Sequence, residues 1–361
     1  MRSFVPAVTA LAGCSLLAAT AATAAELDSA YLRGSRAYEA APSYQIGSSM
    51  PSDEYAPPPR GAVMAPVAAA APGYSFEFGA RYWYSSGRLA KDLYDDPRFS
   101  TDIVSRLTYD GLTSHSFEAF GKIALPSNLF IKGYAGIAGL SKGSLNDEDF
   151  PPLTIPTSST MSNQSGGRLN YMTADLGYGF AVNPATQVSL FAGYGYVAEK
   201  VNAYGCNQIG SNPFICVPAI GANVLGITED AHWHVARLGV GVEFKPIERL
   251  TLSFEAAWLP VVQLRAQDTH WLRLGSTFGS FAGPVPETAA GTGFQLEALV
   301  SYQVWDCFSV GLGGRYWRFD ARGGADLEQM IVGVTNPATQ PIEFTSERYG
   351  VFLQGSYKFN L

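Results

Sequence analysis

Two short motifs in this sequence hold polar side chains at a spacing suited to catalysis. In the first motif, Asp268 and His270 are separated by one residue at the end of the segment "LTLSFEAAWLPVVQLRAQDTH". Side chains two positions apart on a strand point to the same side, so Asp268 can accept a hydrogen bond from one imidazole nitrogen. That bond selects a tautomer and leaves the other nitrogen as a base near neutral pH. The alternative is a solvated polar pair at the edge of a loop.

The second motif is the acidic segment "GSLNDEDF", in which Asp147 and Asp149 are also separated by one residue. Two adjacent carboxylates do not both ionise readily, so the pKa of one rises and the pair holds a proton or a water molecule. An ordinary acidic loop is one alternative. A calcium-binding loop is a weaker alternative, because the spaced series of ligands that such a loop needs is absent.

The elements that must position these motifs are strands, because residue character alternates with a period of two over long runs. The alternation is clear at residues 76–84, 294–304 and 348–361. We predict ten strands, at residues 74–86, 102–124, 128–140, 168–182, 187–203, 231–245, 250–268, 292–304, 307–320 and 344–361. Short turns alternate with long polar loops at 86–101, 141–168, 204–230, 269–292 and 321–343. The acidic motif falls in the second long loop.

Composition and connection lengths together indicate an outer-membrane protein. Gly (38), Tyr (19) and Phe (21) are plentiful, whereas charged residues make up only 15% of the chain. Short turns on one side and long loops on the other are typical of outer-membrane barrels. We therefore predict an all-β fold, a ten-stranded antiparallel transmembrane outer-membrane β-barrel with long extracellular loops. A net charge of −7 argues against nucleic acid as a partner.

Charged residues of both signs are predicted to face the inside of this barrel. They are Glu77, Glu118, Asp175, Glu243, Glu255, Glu297, Arg81, Lys122, Lys132, Arg237, Arg315 and Lys358. Side chains nearly fill a barrel of about eight strands, so a ten-stranded barrel with paired charges should be largely plugged. This prediction counts against a general porin.

The segments before the barrel are interpreted separately. Residues 1–25 combine Arg2, a short apolar region and a small-residue cleavage site, which indicates a signal peptide. A lipid-attachment box at "LAGC" is the alternative. Residues 26–72 are rich in Pro and Ala, and we interpret them as a disordered periplasmic arm. The barrel then occupies residues 73–361.

Two further pairs of residues are candidates for a structural or a binding role. Cys206 and Cys216 flank the loop-like segment "NQIGSNPFI" and are suited to a disulfide in an oxidising compartment. His232 and His234 share a face at the start of the sixth predicted strand. They are interpreted either as a copper or zinc site or as rim residues of an aromatic girdle.

From about residue 74 to its end, the chain resembles the omptin family of outer-membrane proteases. The segment "IVSRLTYDGLTSHSFEAFGKIALPSN" is similar to the long second omptin strand and its turn. "GSLNDEDF" is similar to the omptin motif in which two Asp residues flank one residue before an aromatic. "QDTH" is similar to the omptin Asp-x-His pair at the end of strand seven. The resemblance implies that Asp147, Asp149, Asp268 and His270 are catalytic.

The activity that the resemblance implies is hydrolysis of peptides at the cell surface without a covalent intermediate. His270 would act as general base on a water molecule, with Asp268 as its support. Asp147 and Asp149 would hold that water and stabilise the developing charge. No metal or other cofactor is implied, although omptins need lipopolysaccharide. Omptins hold lipopolysaccharide with charged and aromatic residues on the outer wall; Tyr194, Tyr196, Glu199 and Lys200 lie in the corresponding strand, but their spacing does not match.

The implied partners are outer-membrane lipid, lipopolysaccharide and a peptide or protein substrate, for a monomer with its active-site loops outside the cell. The chain departs from the family at the specificity positions. Omptins select basic substrate residues with acidic side chains deep in the cleft, and those positions fall near Gly87 and Ala266. A preference for basic peptides is therefore not predicted. The second hypothesis is a non-catalytic barrel that acts in adhesion or envelope integrity.

Overall fold

The computed structural model describes residues 73–98, 102–150, 152 and 155–361. The predicted signal peptide at residues 1–25 and the predicted arm at residues 26–72 lie outside the described residues. Within the described ranges, most residues belong to antiparallel strands, with a short helix α1 at Leu327–Met330 and a 3-10 turn at Trp271–Arg273. No helix in these ranges has the length and hydropathy needed to cross a membrane.

The strands form one closed antiparallel sheet. They are β1 Ser75–Tyr94, β2 Ile103–Ala124, β3 Leu129–Asp149, β4 Ser158–Gln164, β5 Gly167–Asn183, β6 Thr186–Gln208, β7 Ile220–Ile247, β8 Leu250–His270, β9 Val285–Trp305, β10 Phe308–Ala325 and β11 Gln340–Asn360. Strand β1 pairs with both β2 and β11, which closes the barrel. The predicted ten-stranded barrel is confirmed, and β4 is a short addition to it. This strand lies between β3 and β6, beyond the point where β5 begins.

The long connections are shorter than predicted, because the strands continue past the runs that the alternation marks. Strand β1 extends to Tyr94, β7 begins at Ile220 and β9 begins at Val285. In these extensions the apolar side chains face inward, as Leu89 and Val285 do with about 1% of their surface exposed. In the lower parts of the strands, the apolar side chains face outward. In the extensions this pattern is inverted. We term the end of the barrel that carries the long connections the upper end.

A belt of apolar side chains surrounds the lower half of the barrel. Each long strand contributes to it, with Phe78, Phe117, Ile131, Leu176, Leu190, Val240, Phe254, Val300, Leu312 and Leu353 all exposed. Strand β8 has 21 residues. At about 3.4 Å per residue it is about 70 Å long, or about 55 Å tall at a tilt of about 40°. An apolar band about 25 Å tall covers less than half of that height, so the upper half stands clear of lipid.

Ion pairs and aromatic rings fill the lower interior. The predicted inward charges bond to one another as Arg81–Glu118, Arg81–Glu297, Arg315–Glu118, Arg315–Glu297, Arg237–Asp175, Lys122–Glu243 and Lys132–Glu255. The guanidinium of Arg315 also lies over the rings of Trp83 and Tyr134. Such pairing is needed because an unpaired buried charge costs several kcal/mol. The predicted charge pairing is confirmed for these ten of the twelve residues.

Candidate functional site

A bulge at Pro260 turns the Asp268–His270 motif toward the inside of the barrel. Between Leu259 and Val262, strand β8 carries one residue more than strand β9 opposite. Proline has no backbone N–H to give to the ladder, so in sheets it is found at such bulges. The extra residue shifts the alternation by one, and Leu259 and Val262 are both buried. Continuing from Val262 in steps of two brings Asp268 and His270 to the same inner face.

A second irregularity places the acidic motif on the inner face of β3. The pairing of β2 with β3 shifts beside Gly111, whose φ of 63° is a left-handed conformation that glycine adopts without strain. Beyond this point Asp147 lies opposite Leu107, a buried inward residue. Asp147 and Asp149 therefore lie on a strand, and their predicted place in a long loop is wrong. The strand persists here because β4 pairs with it, with Asp147 opposite Thr160.

Asp268 and His270 form a buried, hydrogen-bonded pair. Nε2 of His270 donates to Oδ2 of Asp268 at 3.2 Å, and the two side chains are 16% and 4% exposed. The ring of Phe281 lies against the imidazole, with 5.2 Å between ring centroids. Burial disfavours both charged forms, but the attraction between the two groups outweighs it, so the pKa of His270 is raised and the pKa of Asp268 is lowered. Nδ1 is then the nitrogen that can accept a proton.

The acidic pair lies within electrostatic reach of that imidazole. Burial, and then the charge of Asp149, raise the pKa of Asp147 to about 7. Burial also raises the pKa of Asp149. The charge of His270 acts on both carboxyl groups in the opposite direction. The structure therefore brings the two sequence motifs together at the upper end, and Asp147 is divided between its protonated and ionised forms at neutral pH.

Three charged residues that the sequence analysis did not single out join Asp268. Nζ of Lys91 donates to Glu229 at 2.9 Å, to Asp268 at 2.8 Å and to Glu287 at 2.6 Å. Burial opposes the charge on Lys91, yet the three carboxylates raise its pKa well above the ordinary value. Burial raises the pKa values of Glu229 and Glu287. We term Lys91, Glu229, Asp268 and Glu287 the Lys91 cluster. Its three new members fall in segments predicted as loops, but continuing the alternation from Trp83 would have placed Lys91 inside.

The carboxylates of the Lys91 cluster surround a lysine and are not arranged as metal ligands. Among the residues that the structure describes, Glu229, Asp268 and Glu287 form the one group whose ligand atoms converge to within 4.8 Å. The ammonium of Lys91 bonds to all three. A divalent ion would have to displace Lys91, whose raised pKa keeps it charged. The geometry therefore fits a cluster of ion pairs in which Lys91 is the cation.

Gly87 and Ala266, the two positions that the resemblance compares with the omptin specificity residues, adjoin charged residues of the interior. A Cβ atom at Gly87 would lie 2.6 Å from Nη2 of Arg348. Arg348 is itself buried, and it donates to Glu199 at 2.5 Å. Ala266 is the cross-strand partner of Glu287. The absence of an acid at Gly87 therefore has a steric reason: the guanidinium of Arg348 fills the space that a side chain would need.

Of the four residues in the strand that corresponds to the lipopolysaccharide-binding strand of omptins, three face outward. Tyr194 is exposed and the side chain of Lys200 is 35% exposed, and both face outward together with Tyr196. Glu199 lies between outward residues on the same strand, so it faces inward, where it is 3% exposed and bonds to Arg348. Glu199 is therefore not part of the outer wall.

The two remaining pairs have structural roles. Nδ1 atoms of His232 and His234 lie 2.7 and 2.6 Å from tyrosine hydroxyl groups on the outer wall. This arrangement favours the interpretation as girdle residues over that of a metal site. Cys206 and Cys216 form a disulfide, which closes the connection between β6 and β7.

Comparisons with known proteins give the fold. No family model matches this chain, and no curated protein matches it. Among solved structures, the chain is similar to the outer membrane protease OmpT from Escherichia coli, with 14% identity, a TM-score of 0.60, and coverage of 79% of this chain and 97% of that chain. The translocator domain of the autotransporter NalP from Neisseria meningitidis is similar at 10% identity, a TM-score of 0.34, and coverage of 80% and 88%. Ail of Yersinia pestis follows at 8% identity, a TM-score of 0.26, and coverage of 78% and 98%. The first likeness shows the fold of an outer-membrane β-barrel.

Proposed function

We propose that this chain is an omptin-like endopeptidase, which hydrolyses peptides with a water molecule activated by the Asp268–His270 pair. One observation carries the proposal. Two separate strand irregularities turn the two sequence motifs toward the same interior, where the charge of His270 acts on Asp147 and Asp149. A strand alternation without these irregularities would direct both motifs outward. The likeness in fold to an outer-membrane protease is consistent with this assignment.

His270 is the general base of the proposed reaction. Its Nδ1 takes a proton from water while the water oxygen bonds to the carbonyl carbon of the substrate peptide. Asp268 holds the ring by Nε2 and stabilises the imidazolium that forms. The C–N bond then breaks as the imidazolium returns the proton to the leaving nitrogen, and a new carboxyl and a new amino terminus are released. A base of this kind contributes about 10²–10⁴-fold.

The two acids act on the water and on the oxygen that becomes negatively charged. A carboxylate accepts a hydrogen bond from the water, whereas a protonated carboxyl group donates one to the developing oxyanion. The pKa of Asp147, raised to about 7, makes its protonated form available at neutral pH. Asp149 is the acceptor in this scheme. These two roles require that Asp147 and Asp149 together carry one proton.

We further propose that the barrel is a monomer in the bacterial outer membrane, with its upper end outside the cell. The apolar belt of the lower half supports the membrane placement. Lipopolysaccharide would bind above that belt, where Arg168 and Lys200 are cross-strand neighbours on the outer wall and Tyr194 and Tyr196 lie lower on the same strand as Lys200. Cationic side chains over an aromatic row suit phosphate groups at a lipid surface. We therefore expect activity to depend on added lipopolysaccharide.

The test is cleavage of a diverse peptide library by the refolded barrel in the presence of lipopolysaccharide. Mass spectrometry of the new termini would report both the cleavage and its sequence preference. The His270→Ala variant should lose cleavage by about 10²-fold or more, and His232→Ala, on the outer wall, should retain it. Heat-modifiable migration in SDS gels would confirm that all three proteins are folded. Equal cleavage by His270→Ala and the wild type would sink the proposal.

A non-catalytic adhesive barrel is the second candidate, because the disulfide-closed connection displays apolar side chains. Phe214 is 87% exposed and Val217 is 53% exposed there. A surface of this kind is suited to contact with another surface. If this function is correct, deleting residues 210–215 abolishes adhesion of cells that display the barrel, while His270→Ala changes nothing. Adhesion that survives the deletion, together with loss of peptide cleavage in His270→Ala, favours the endopeptidase.

A further inference from the structure

The Lys91 cluster contains more carboxylates than cations, and it lies against the candidate general base. Lys91, Glu229, Asp268 and Glu287 have side chains that are between 1% and 5% exposed. Lys91 and His270 bond to the same oxygen of Asp268, Oδ2, at 2.8 and 3.2 Å. The other oxygen, Oδ1, is buried and has no hydrogen-bond partner within the described part of the chain. The ammonium and the imidazole therefore share one acceptor atom.

We propose that Lys91 is a positioning residue for the Asp268–His270 pair, which holds Asp268 ionised beneath the imidazole and limits the proton affinity of His270. This inference rests on the proposed function, since it assigns Lys91 to the same site. It follows from the shared oxygen and from the position of the ammonium among three carboxylates. Lys91 touches no reacting atom in the mechanism above. Its action on the reaction passes through Asp268.

Charged groups from every strand around His270 determine the sign of the effect. Acidic groups are Asp147 and Asp149 on β3, Glu229 on β7, Asp268 on β8 and Glu287 on β9. Positive groups are Lys91 on β1 and Arg273 in the turn after β8, whose charge acts on Asp149. The phenol of Tyr109 on β2 is buried next to the cluster and stays neutral, because burial raises its pKa well above the ordinary value. Acids thus outnumber bases around the imidazole.

An imidazole among so many acids would keep its proton through the neutral range if Lys91 were absent. A protonated ring cannot take a proton from water, so it is no longer a base. The charge of Lys91 opposes protonation of His270, while its bond to Asp268 keeps the supporting carboxylate ionised. Lys91 thereby allows one side chain to be both buried among acids and available as a base.

The matched variants are Lys91→Met, which removes the charge at similar length, and Lys91→Arg, which keeps it. Lys91→Gln is the reserve should Lys91→Met fail to give a heat-modifiable barrel, because it retains a hydrogen-bond donor without the charge. The primary measurement is a ¹⁵N NMR titration of histidine-labelled barrel in detergent micelles. The chain has 4 histidines, and His270→Ala assigns the resonance in question. His115, His232 and His234 on the outer wall serve as internal references.

We expect the titration midpoint of His270 to rise by about one pH unit or more in Lys91→Met. The midpoint should change by less than about half a unit in Lys91→Arg. The outer-wall histidines should not move in either variant. If His270 titrates at the wild-type midpoint or lower in both charge-removing variants, the inference is overturned.

The peptidase assay supplies a separate result. If the endopeptidase proposal holds, the acidic limb of the pH–rate profile should move upward in Lys91→Met by the same amount as the NMR midpoint, and Lys91→Arg should restore the wild-type profile. A shift in the NMR midpoint without cleavage by any variant would retain the electrostatic role of Lys91 and reject the proposed function. Cleavage without the NMR shift would retain the proposed function and reject the electrostatic role of Lys91.

Discussion

Replacing Asp147 with Asn should stabilise the barrel, and the gain should grow as the pH rises. The carboxyl group has a pKa raised to about 7 by burial and by Asp149, against an ordinary value of 3.8. Below about pH 4 the group is protonated in both the folded and the unfolded chain, and it contributes nothing. Between these values the unfolded chain releases the proton that the folded chain keeps. Stability is therefore lost as the pH rises through this window.

The magnitude follows from the two pKa values. Each unit of difference corresponds to about 1.4 kcal/mol, so a difference of roughly 3 units corresponds to about 4 kcal/mol above pH 7. Asn has the shape of the protonated acid and never ionises. Asp147→Asn should thus match the wild type near pH 4 and exceed its free energy of unfolding by up to about 4 kcal/mol at pH 8. A gain in stability with a loss of activity is common at functional sites.

Urea unfolding of the barrel in lipid vesicles, followed by tryptophan fluorescence from pH 4 to pH 8, would measure the difference. Glu148→Gln is the matched control, because it removes one charge from the outward face of the same strand. Its effect should be small and nearly constant across this range. If Asp147→Asn differs from the wild type by the same amount at every pH, or gains stability as the pH falls, the argument from burial is wrong.

Two further substitutions probe the surroundings of the site. Gly87→Ala should reduce the free energy of unfolding of the barrel by about 1–3 kcal/mol, because the new Cβ displaces Arg348 from Glu199. Urea unfolding would measure the loss. An unchanged unfolding midpoint would contradict the steric argument. Replacing Cys206 and Cys216 with Ser should lower the stability of the closed connection by about 2–3 kcal/mol, seen as faster proteolysis there, with peptide cleavage by the barrel unchanged. Loss of cleavage would mean that this connection belongs to the active site.

The sequence predicts the closed barrel well because lipid imposes a simple rule on it. On strands such as β11, outward residues are apolar and inward residues are polar, so the alternation marks each lower strand. The rule ends where the lipid ends. In the upper half, solvent accepts polar side chains outside and the interior accepts Leu89 or Glu287, so the alternation inverts and resembles a loop. This is why the ends of β1, β7 and β9 were predicted too short.

The sequence predicts the individual motifs of the candidate site, but it does not predict how the fold brings them together. The Asp268–His270 spacing marks a shared face, but the bulge at Pro260 decides which face that is. Lys91 reaches Asp268 across the barrel from a position 177 residues away, and Glu229, 39 residues away, is opposite Asp268 on the neighbouring strand β7. No local pattern encodes such contacts, which depend on the strand register. The sequence therefore predicts the types of side chain in the candidate site. The counter-ion of Asp268, Lys91, is identified only from the folded chain.

The most direct test of the account is peptide hydrolysis in water enriched in ¹⁸O, with wild-type barrel and His270→Ala compared by mass spectrometry. We expect new peptide termini from the wild type, one ¹⁸O atom in each new carboxyl group after a single turnover, and a loss of activity of about 10²-fold or more in the variant. No new termini from a folded wild-type barrel with lipopolysaccharide present, or cleavage that His270→Ala leaves undiminished, would contradict the claim that this barrel is an endopeptidase with His270 as its base.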